Sequence, residues 1–304
     1  LPLLVEKLDT FAGHRSGIYA LVPGAVPEQV FSAGSDGMVI EWNLEKPDLG
    51  RLLAQIPASV YALAYDAPRQ QLWVGQNFEG LHRLDLVRRT ELDSLKMTSA
   101  AIFDLLLHEG TAYAALADGT LVVLDVEAFA VRKHVRASEQ SARCLALHPA
   151  GHELAVGYSD HTIQVFSLPD LRPRAVLRGH TNSVFTVRYA PDGKFLYSGS
   201  RDAHLKAWDV SADYARSLDV PAHLFAINHL AFSPDGRWLV SASMDKSIKV
   251  WEPGTLKLRK VIDRARHAGH GTSVNKLLWT GYRNQLLSAS DDRLISVWAL
   301  HEGT

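Results

Sequence analysis

Serine, histidine and aspartate in the right arrangement do nucleophilic chemistry: the carboxylate orients the imidazole, the imidazole takes the hydroxyl proton, and the freed oxygen attacks. This chain carries the three residue types at constant offsets, and it carries them four times. A His is followed 18 residues later by a Ser, 22 later by an Asp and 28 later by a Trp. The sets are His14/Ser32/Asp36/Trp42, His180/Ser198/Asp202/Trp208, His223/Ser241/Asp245/Trp251 and His270/Ser288/Asp292/Trp298. A catalytic site is needed once, not four times. An indole N–H is a donor only, and one at the end of every set suits a buried hydrogen-bonded network better than a hydrolase. The 14 histidines also invite a metal. His267 and His270 stand three apart, but no cysteine or clear third ligand accompanies them, and zinc takes three or four convergent ligands. Neither a P-loop nor a dinucleotide fingerprint is present. No catalytic residue, metal site or cofactor is expected.

The elements that must position these sets repeat with them. Leu84, Leu124 and Phe166 stand where the other copies have Trp. The series 42, 84, 124, 166, 208, 251, 298 then advances by 42, 40, 42, 42, 43 and 47 residues. A period of about 40 is the mark of a repeat architecture, and seven copies leave almost nothing over. In the fifth copy, Ser183–Tyr189, Phe195–Ser200 and His204–Val210 alternate as short strands, and Ala175–Arg178 is the outer strand of the copy before. Pro191-Asp192-Gly193 is a turn, repeated at Pro234-Asp235-Gly236 and Pro149-Ala150-Gly151, with Pro fixing φ and Gly tolerating a positive one. Evenly spaced short strands predict an all-β fold.

The chain resembles the WD-repeat (WD40) β-propeller family. Gly13-His14, Gly179-His180 and Gly269-His270 carry the resemblance, with Trp208-Asp209 and its variants Trp42-Asn43, Trp251-Glu252 and Trp298-Ala299. Repeats two to four lack the Gly-His pair. The resemblance implies seven four-stranded antiparallel blades closed around a channel, one propeller domain over residues 1–304. It also implies that His, Ser, Asp and Trp of one blade join through the indole N–H. The last blade ends at Leu294–Leu300, and the N-terminal Leu3–Phe11 reads like an outer strand. It is expected to complete that blade and remove a free sheet edge.

Composition sets outer bounds. Hydrophobic residues make up 47%, enough to fill the faces between blades. No run approaches the roughly 18 apolar residues of a membrane span, and Leu1–Val5 is too short for a signal peptide. One cysteine, Cys144, rules out a disulfide framework and reads as a buried hydrophobe; a cytoplasmic setting fits. The net charge of −1 gives no electrostatic case for nucleic acid or an anionic membrane. A basic stretch, Lys257, Arg259, Lys260, Arg264, Arg266 and His267, accompanies the longest repeat step; about four residues are inserted there, in a loop reading as solvated.

The resemblance also points to a site. In the family, the residue five after the Gly-His histidine lines the channel mouth. Carried over, this names Tyr19, Phe185, Asn228 and Asn275; alignment by strand pattern adds Tyr61, Phe103 and Arg143. Four aromatics in seven positions is high for a chain that is 9% aromatic. The residues before the turn aspartates, Ser35, Ser159, Arg201, Met244 and Asp291, form an expected outer ring. The expectation is a non-enzymatic scaffold, monomeric outside a complex, that binds a peptide or protein loop at the mouth through Tyr19, Tyr61, Phe103, Arg143, Phe185, Asn228, Asn275 and Arg201. Arg143 favours an acidic residue beside an apolar or aromatic anchor over a cationic tail. The rivals are a structural subunit contacted through its blade sides and a propeller enzyme; against the latter, the inferred ring holds no carboxylate and no histidine.

Overall fold

The computed structural model describes residues 2–78 and 80–303. The described residues form seven four-stranded antiparallel sheets and one helical turn. The innermost strands of blades one to seven are Ile18–Pro23, Val60–Asp66, Ile102–His108, Ala142–Leu147, Val184–Tyr189, Ile227–Phe232 and Val274–Trp279. Each touches the next, and the seventh touches the first, which closes the ring. Blade seven takes its outer strand from the far end of the chain. Leu3–Ala12 pairs antiparallel with Leu294–Glu302, from Leu3 opposite Glu302 to Ala12 opposite Leu294.

Short strands of alternating pattern need a second sheet to cover each face. Here every blade covers its neighbour, and one buried apolar cluster sits at each of the seven interfaces. The seam between blades seven and one is built the same way: Phe11 stacks on Trp42 at 5.4 Å, among Ile18, Leu287 and Ile295. In the Pro191–Gly193 turn, Gly193 adopts φ +71°, and Asp192 accepts the Lys194 N–H.

Blades one, five, six and seven each contain the four-residue chain. Trp42 Nε1 donates to Ser32 Oγ at 2.7 Å, His14 Nε2 lies 2.7 Å from that oxygen, and His14 Nδ1 lies 3.0 Å from Asp36. The Trp208–Ser198–His180–Asp202 distances are 2.9, 2.8 and 2.9 Å. Those of Trp251–Ser241–His223–Asp245 are 2.8, 2.7 and 2.8 Å. Those of Trp298–Ser288–His270–Asp292 are 2.8, 2.8 and 2.9 Å. Donor logic fixes the direction. The indole N–H occupies a serine lone pair, the serine proton goes to Nε2, and Nδ1–H donates to the carboxylate. That sequence needs neutral imidazoles. Burial pushes the pKa of His14, His180 and His223 below 6.5, against the pull of their aspartates. The order is that of a hydrolytic triad, but all four serines have no solvent exposure and their oxygens are capped by indoles. They cannot meet a substrate. Both nitrogens of His270 are engaged in its chain, so it cannot pair with His267 on a metal.

The inserted basic segment serves the closure. Its outer strand Lys257–Ile262 leads into a helical turn, Arg264–His267, capped by Asp263. The turn ends at Ala268, whose carbonyl accepts Lys7 Nζ at 2.9 Å. The longer loop thus reaches the N-terminal strand rather than standing free in solvent.

Candidate functional site

Tyr19, Tyr61, Phe103, Arg143, Phe185, Asn228 and Asn275 all line one cavity of about 210 Å3 at the end of the channel. A local irregularity places them there. In every blade the innermost strand skips one residue in its pairing with the second strand. The register jumps from Ile18 to Ala20, Val60 to Ala62, Ile102 to Asp104 and Ala142 to Cys144. It jumps again from Val184 to Thr186, Ile227 to His229 and Val274 to Lys276. The seven skipped residues are the seven mouth residues. A bulge of this kind leaves one residue out of the ladder and re-aims its side chain.

The aromatic side chains form a continuous arc. Tyr19 stacks on Tyr61 with centroids 4.9 Å apart, and Tyr61 meets Phe103 edge-on at 5.6 Å. Arg143 continues the arc: its guanidinium carbon lies 4.4 Å from the Phe103 centroid and 5.4 Å from that of Phe185. Its Nε donates to Ser159 Oγ at 2.8 Å. Its two Nη groups have no hydrogen-bond partner among the described residues and remain available. Burial pulls the Arg143 pKa down, and a guanidinium stays charged in proteins. The far side of the mouth is polar. Asn228 Nδ2 donates to Ser273 Oγ and the Val274 carbonyl, both at 2.9 Å. Asn275 Nδ2 donates to Asp291 Oδ1 at 2.7 Å and to the Ile18 carbonyl at 3.1 Å.

The outer ring divides. Ser159 holds Arg143, Asp291 holds Asn275, and Ser35 Oγ bonds to Ser16 Oγ at 2.7 Å. Arg201 does not line the cavity; it is an exposed turn residue near enough for its charge to act on Arg143. Met244 is exposed and does not line the cavity.

Sequence reasoning missed a second layer. Asp104, Cys144, Thr186, His229 and Lys276 each follow a mouth residue directly and line the same cavity, with Arg188. Regular strand alternation would send consecutive side chains to opposite faces; the bulge sends both to the channel. The expectation of a ring free of carboxylate and histidine therefore holds only for the outermost layer, and Asp104 and His229 correct it below. Cys144 is buried as expected, with its thiol pushed up to about 12 mainly by burial.

Comparison with known proteins fits this geometry. The family described as "WD domain, G-beta repeat" matches residues 5–43, 131–167, 171–209, 216–252 and 263–299, more than half of the chain. The chain belongs to the WD40-repeat family. Four matched segments of this WD40 chain carry the hydrogen-bonded sets, and the 131–167 segment matches without a Gly-His pair. The Denticleless protein homolog A of Xenopus laevis is 26% identical over 248 residues, 74% of this chain and 34% of that protein. The ribosome biogenesis protein YTM1 of Pyricularia oryzae is 28% identical over 211 residues, 65% of this chain and 40% of that protein. The chain thus spans between a third and two fifths of these relatives. The solved WD40 β-propeller domain of Doa1 superposes with a TM-score of 0.84 over 97% of this chain and 96% of that one, at 18% identity. No helix among the described residues is long and apolar enough to cross a membrane.

Proposed function

We propose that this WD40 propeller is a non-enzymatic interaction scaffold, one domain that receives a peptide or protein loop at the channel mouth. The observation that carries this reading is the convergence of four aromatics and a stacked arginine on one cavity. Aromatics and Arg dominate binding hot spots. Their mutual stacking holds them in place before a partner arrives, which lowers the ordering cost of association. The cavity, at about 210 Å3, is below the roughly 300–1,000 Å3 of drug-sized ligand sites and suits one or two inserted side chains. Phe103 and Phe185 already face a cation, so they are poor receptors for another. The free Nη groups of Arg143 suit a carboxylate. The partner segment is therefore an apolar or aromatic anchor beside an acidic residue. Neither nucleic acid nor membrane is part of the reading. A cytoplasmic setting and a monomer outside complexes belong to it.

A structural subunit gripped by its blade sides is the alternative. The exposed apolar residues on the outer strands, Leu4, Leu8, Leu52, Leu92, Val176 and Leu258, are spread over five blades. Scattered single residues of this kind are ordinary surface. The test is quantitative partner capture by wild type, Arg143→Ala and Phe185→Ala, alongside melting curves. Arg143→Ala should lose the partner with its melting temperature nearly intact, and Phe185→Ala should weaken both. Equal capture by wild type and Arg143→Ala would refute the mouth.

A further inference from the structure

Below the aromatic arc, the second layer of the channel holds more hydrogen-bond donors than acceptors. His229 is almost wholly buried, and its Nδ1 accepts the Leu277 N–H at 3.2 Å. Its Nε2 lies 2.9 Å from Arg188 Nη2. A neutral imidazole accepts at one nitrogen only. If Nδ1 accepts from Leu277, the ring proton sits on Nε2 and points at a guanidinium N–H. The other tautomer moves the same conflict to Leu277. Either way one buried donor faces another, a cost that native interiors rarely leave uncompensated. Lys276 adds to the surplus, because its ammonium has no hydrogen bond or ion pair among the described residues.

The acceptors nearby each already take a backbone N–H. Asp104 Oδ2 takes the Leu145 N–H at 2.8 Å and Oδ1 its neighbour Leu105 N–H at 3.1 Å. Thr186 Oγ1 takes the Leu230 N–H at 3.1 Å. Two basic side chains, Arg188 and Lys276, thus share the layer with one carboxylate, and Arg143 stands above them. Burial and the charges of Lys276 and Arg188 hold the His229 imidazole neutral, and burial first of all pulls the Lys276 pKa down. A half-buried pair of basic side chains beside a buried imidazole is relieved by an incoming anion with acceptor oxygens.

We propose that the second layer of the channel is a carboxylate-binding site formed by Lys276, Arg188 and His229. One carboxylate has enough lone pairs to accept from the ammonium, from a guanidinium N–H and from His229 Nε2–H together. It would make the net charge of the layer neutral: two cations against Asp104 and the ligand. Tyr19, Tyr61, Phe103 and Phe185 line the same cavity as these groups, so the carboxylate enters past them at the tip of an inserted segment. This inference rests on the mouth reading and deepens it. The aromatic arc grips the anchor and Arg143 the acid beside it, while the layer beneath takes a carboxylate at the tip. The acid can be a Glu or Asp side chain or the carboxylate of a chain terminus.

The test uses the whole protein labelled with 15N-lysine, with the Lys276 amide assigned by its loss in Lys276→Met. The probes are acetate, acetyl-Phe-Glu-amide, acetyl-Phe-Gln-amide and acetyl-Gly-Phe with a free terminal carboxylate. Acetate and the acids should shift the Lys276 signal saturably. The Glu peptide should need at least ten-fold less than the Gln peptide, and the acid acting at the lower concentration identifies the source. Arg188→Met should weaken the acetate response at least ten-fold; if that variant does not fold, the Glu-against-Gln comparison on the wild type decides alone. Lys194→Ala, at an exposed turn outside the cavity, should keep the acetate response. A Lys276 signal unmoved by every carboxylate, or moved equally by Glu and Gln peptides, overturns the site. That result leaves partner capture by the mouth standing, whereas retained capture by Arg143→Ala, with the wild-type acetate response in place, would sink the mouth reading alone.

Discussion

Blades one, five, six and seven are held by a buried polar chain; blades two, three and four occupy the same architecture without one. At the four corresponding positions blade two has Ile56, Val74, Phe78 and Leu84. Ile56, Val74 and Leu84 are buried in one apolar cluster, and Phe78 is 64% exposed at the turn. Blade three has Ala114 and Leu124 in its core and Asp118 exposed. Blade four is intermediate: Ser138 stands in the histidine position and bonds Asp160 at 2.8 Å, but Val156 and Phe166 replace the serine and indole. The comparison teaches that the polar chain is one solution to a packing problem, not a requirement of the fold. Removing all its members together gives an apolar blade. Removing one member strands the others, and that asymmetry is the usual one for buried hydrogen bonds.

The largest expected effect tests whether closure matters more than either kind of blade. A chain beginning at Gly13 lacks Leu3–Ala12, leaves the edge of Leu294–Glu302 unpaired and removes Phe11 from the seam. It should aggregate or unfold without cooperativity. A monomeric, cooperatively melting truncation would show that polar-chain blades hold the ring without the seam.

The next tests the asymmetry itself. Asp202 accepts from His180 and from the Thr181 and His204 N–H groups. Asp202→Ala should cost roughly 2–4 kcal/mol. Asp118, at the same place in blade three, accepts only the Thr120 N–H among the described residues, and Asp118→Ala should stay within about 1 kcal/mol. Equal losses in urea denaturation would erase the distinction between the two regions.

Acid should act on one region first. The folded-state pKa values of His14, His180 and His223 lie below 6.5 because burial outweighs their aspartates. Their contribution is complete above about pH 6.5 and is lost as pH falls through the folded values. For Asp202, Asp245 and Asp292 burial raises the pKa, but hydrogen bonds and charge from the histidines, with backbone N–H groups, outweigh it and hold it low. Their contribution is present above about pH 4 and fades below. Both signs make acid destabilising, in two stages. His223→Asn should flatten the first stage by up to about 1.4 kcal/mol per pH unit, one proton's worth. An unchanged slope between pH 7 and 5 would contradict the neutral imidazoles.

The smallest effect sharpens the comparison at a single atom type. Trp208 Nε1 donates to Ser198, whereas the buried Trp73 Nε1 of blade two has no partner among the described residues. Trp208→Phe should cost about 1–3 kcal/mol, and Trp73→Phe should change stability by less than about 1.5 kcal/mol, because losing an unpaired N–H offsets the lost area. A larger loss at Trp73 would mean that its indole packs more than it strands.

The repeat period, the closing strand and the seven mouth positions were legible because each rests on an offset or a strand pattern that recurs from blade to blade. The second layer was not, because the bulge that turns Asp104, His229 and Lys276 into the channel has no residue signature: its seven skipped positions hold Tyr, Phe, Arg and Asn alike. Arg143 lines the cavity with the other six, but its stacking between Phe103 and Phe185 needs the ring radius, which no single repeat encodes. The basic segment was legible as an insertion. Its use as a bridge to Lys7 depends on a contact between residues more than 250 apart.

Photo-cross-linking reads the central claim most directly. Benzoylphenylalanine replaces Tyr61 in the arc or Leu258 on an outer strand, and captured peptides are sequenced by mass spectrometry. The account predicts cross-links from position 61 to a segment with an acidic residue beside an aromatic or apolar one, lost when Arg143→Ala is added. Cross-links from position 258 alone, or from position 61 undiminished by Arg143→Ala, would contradict it.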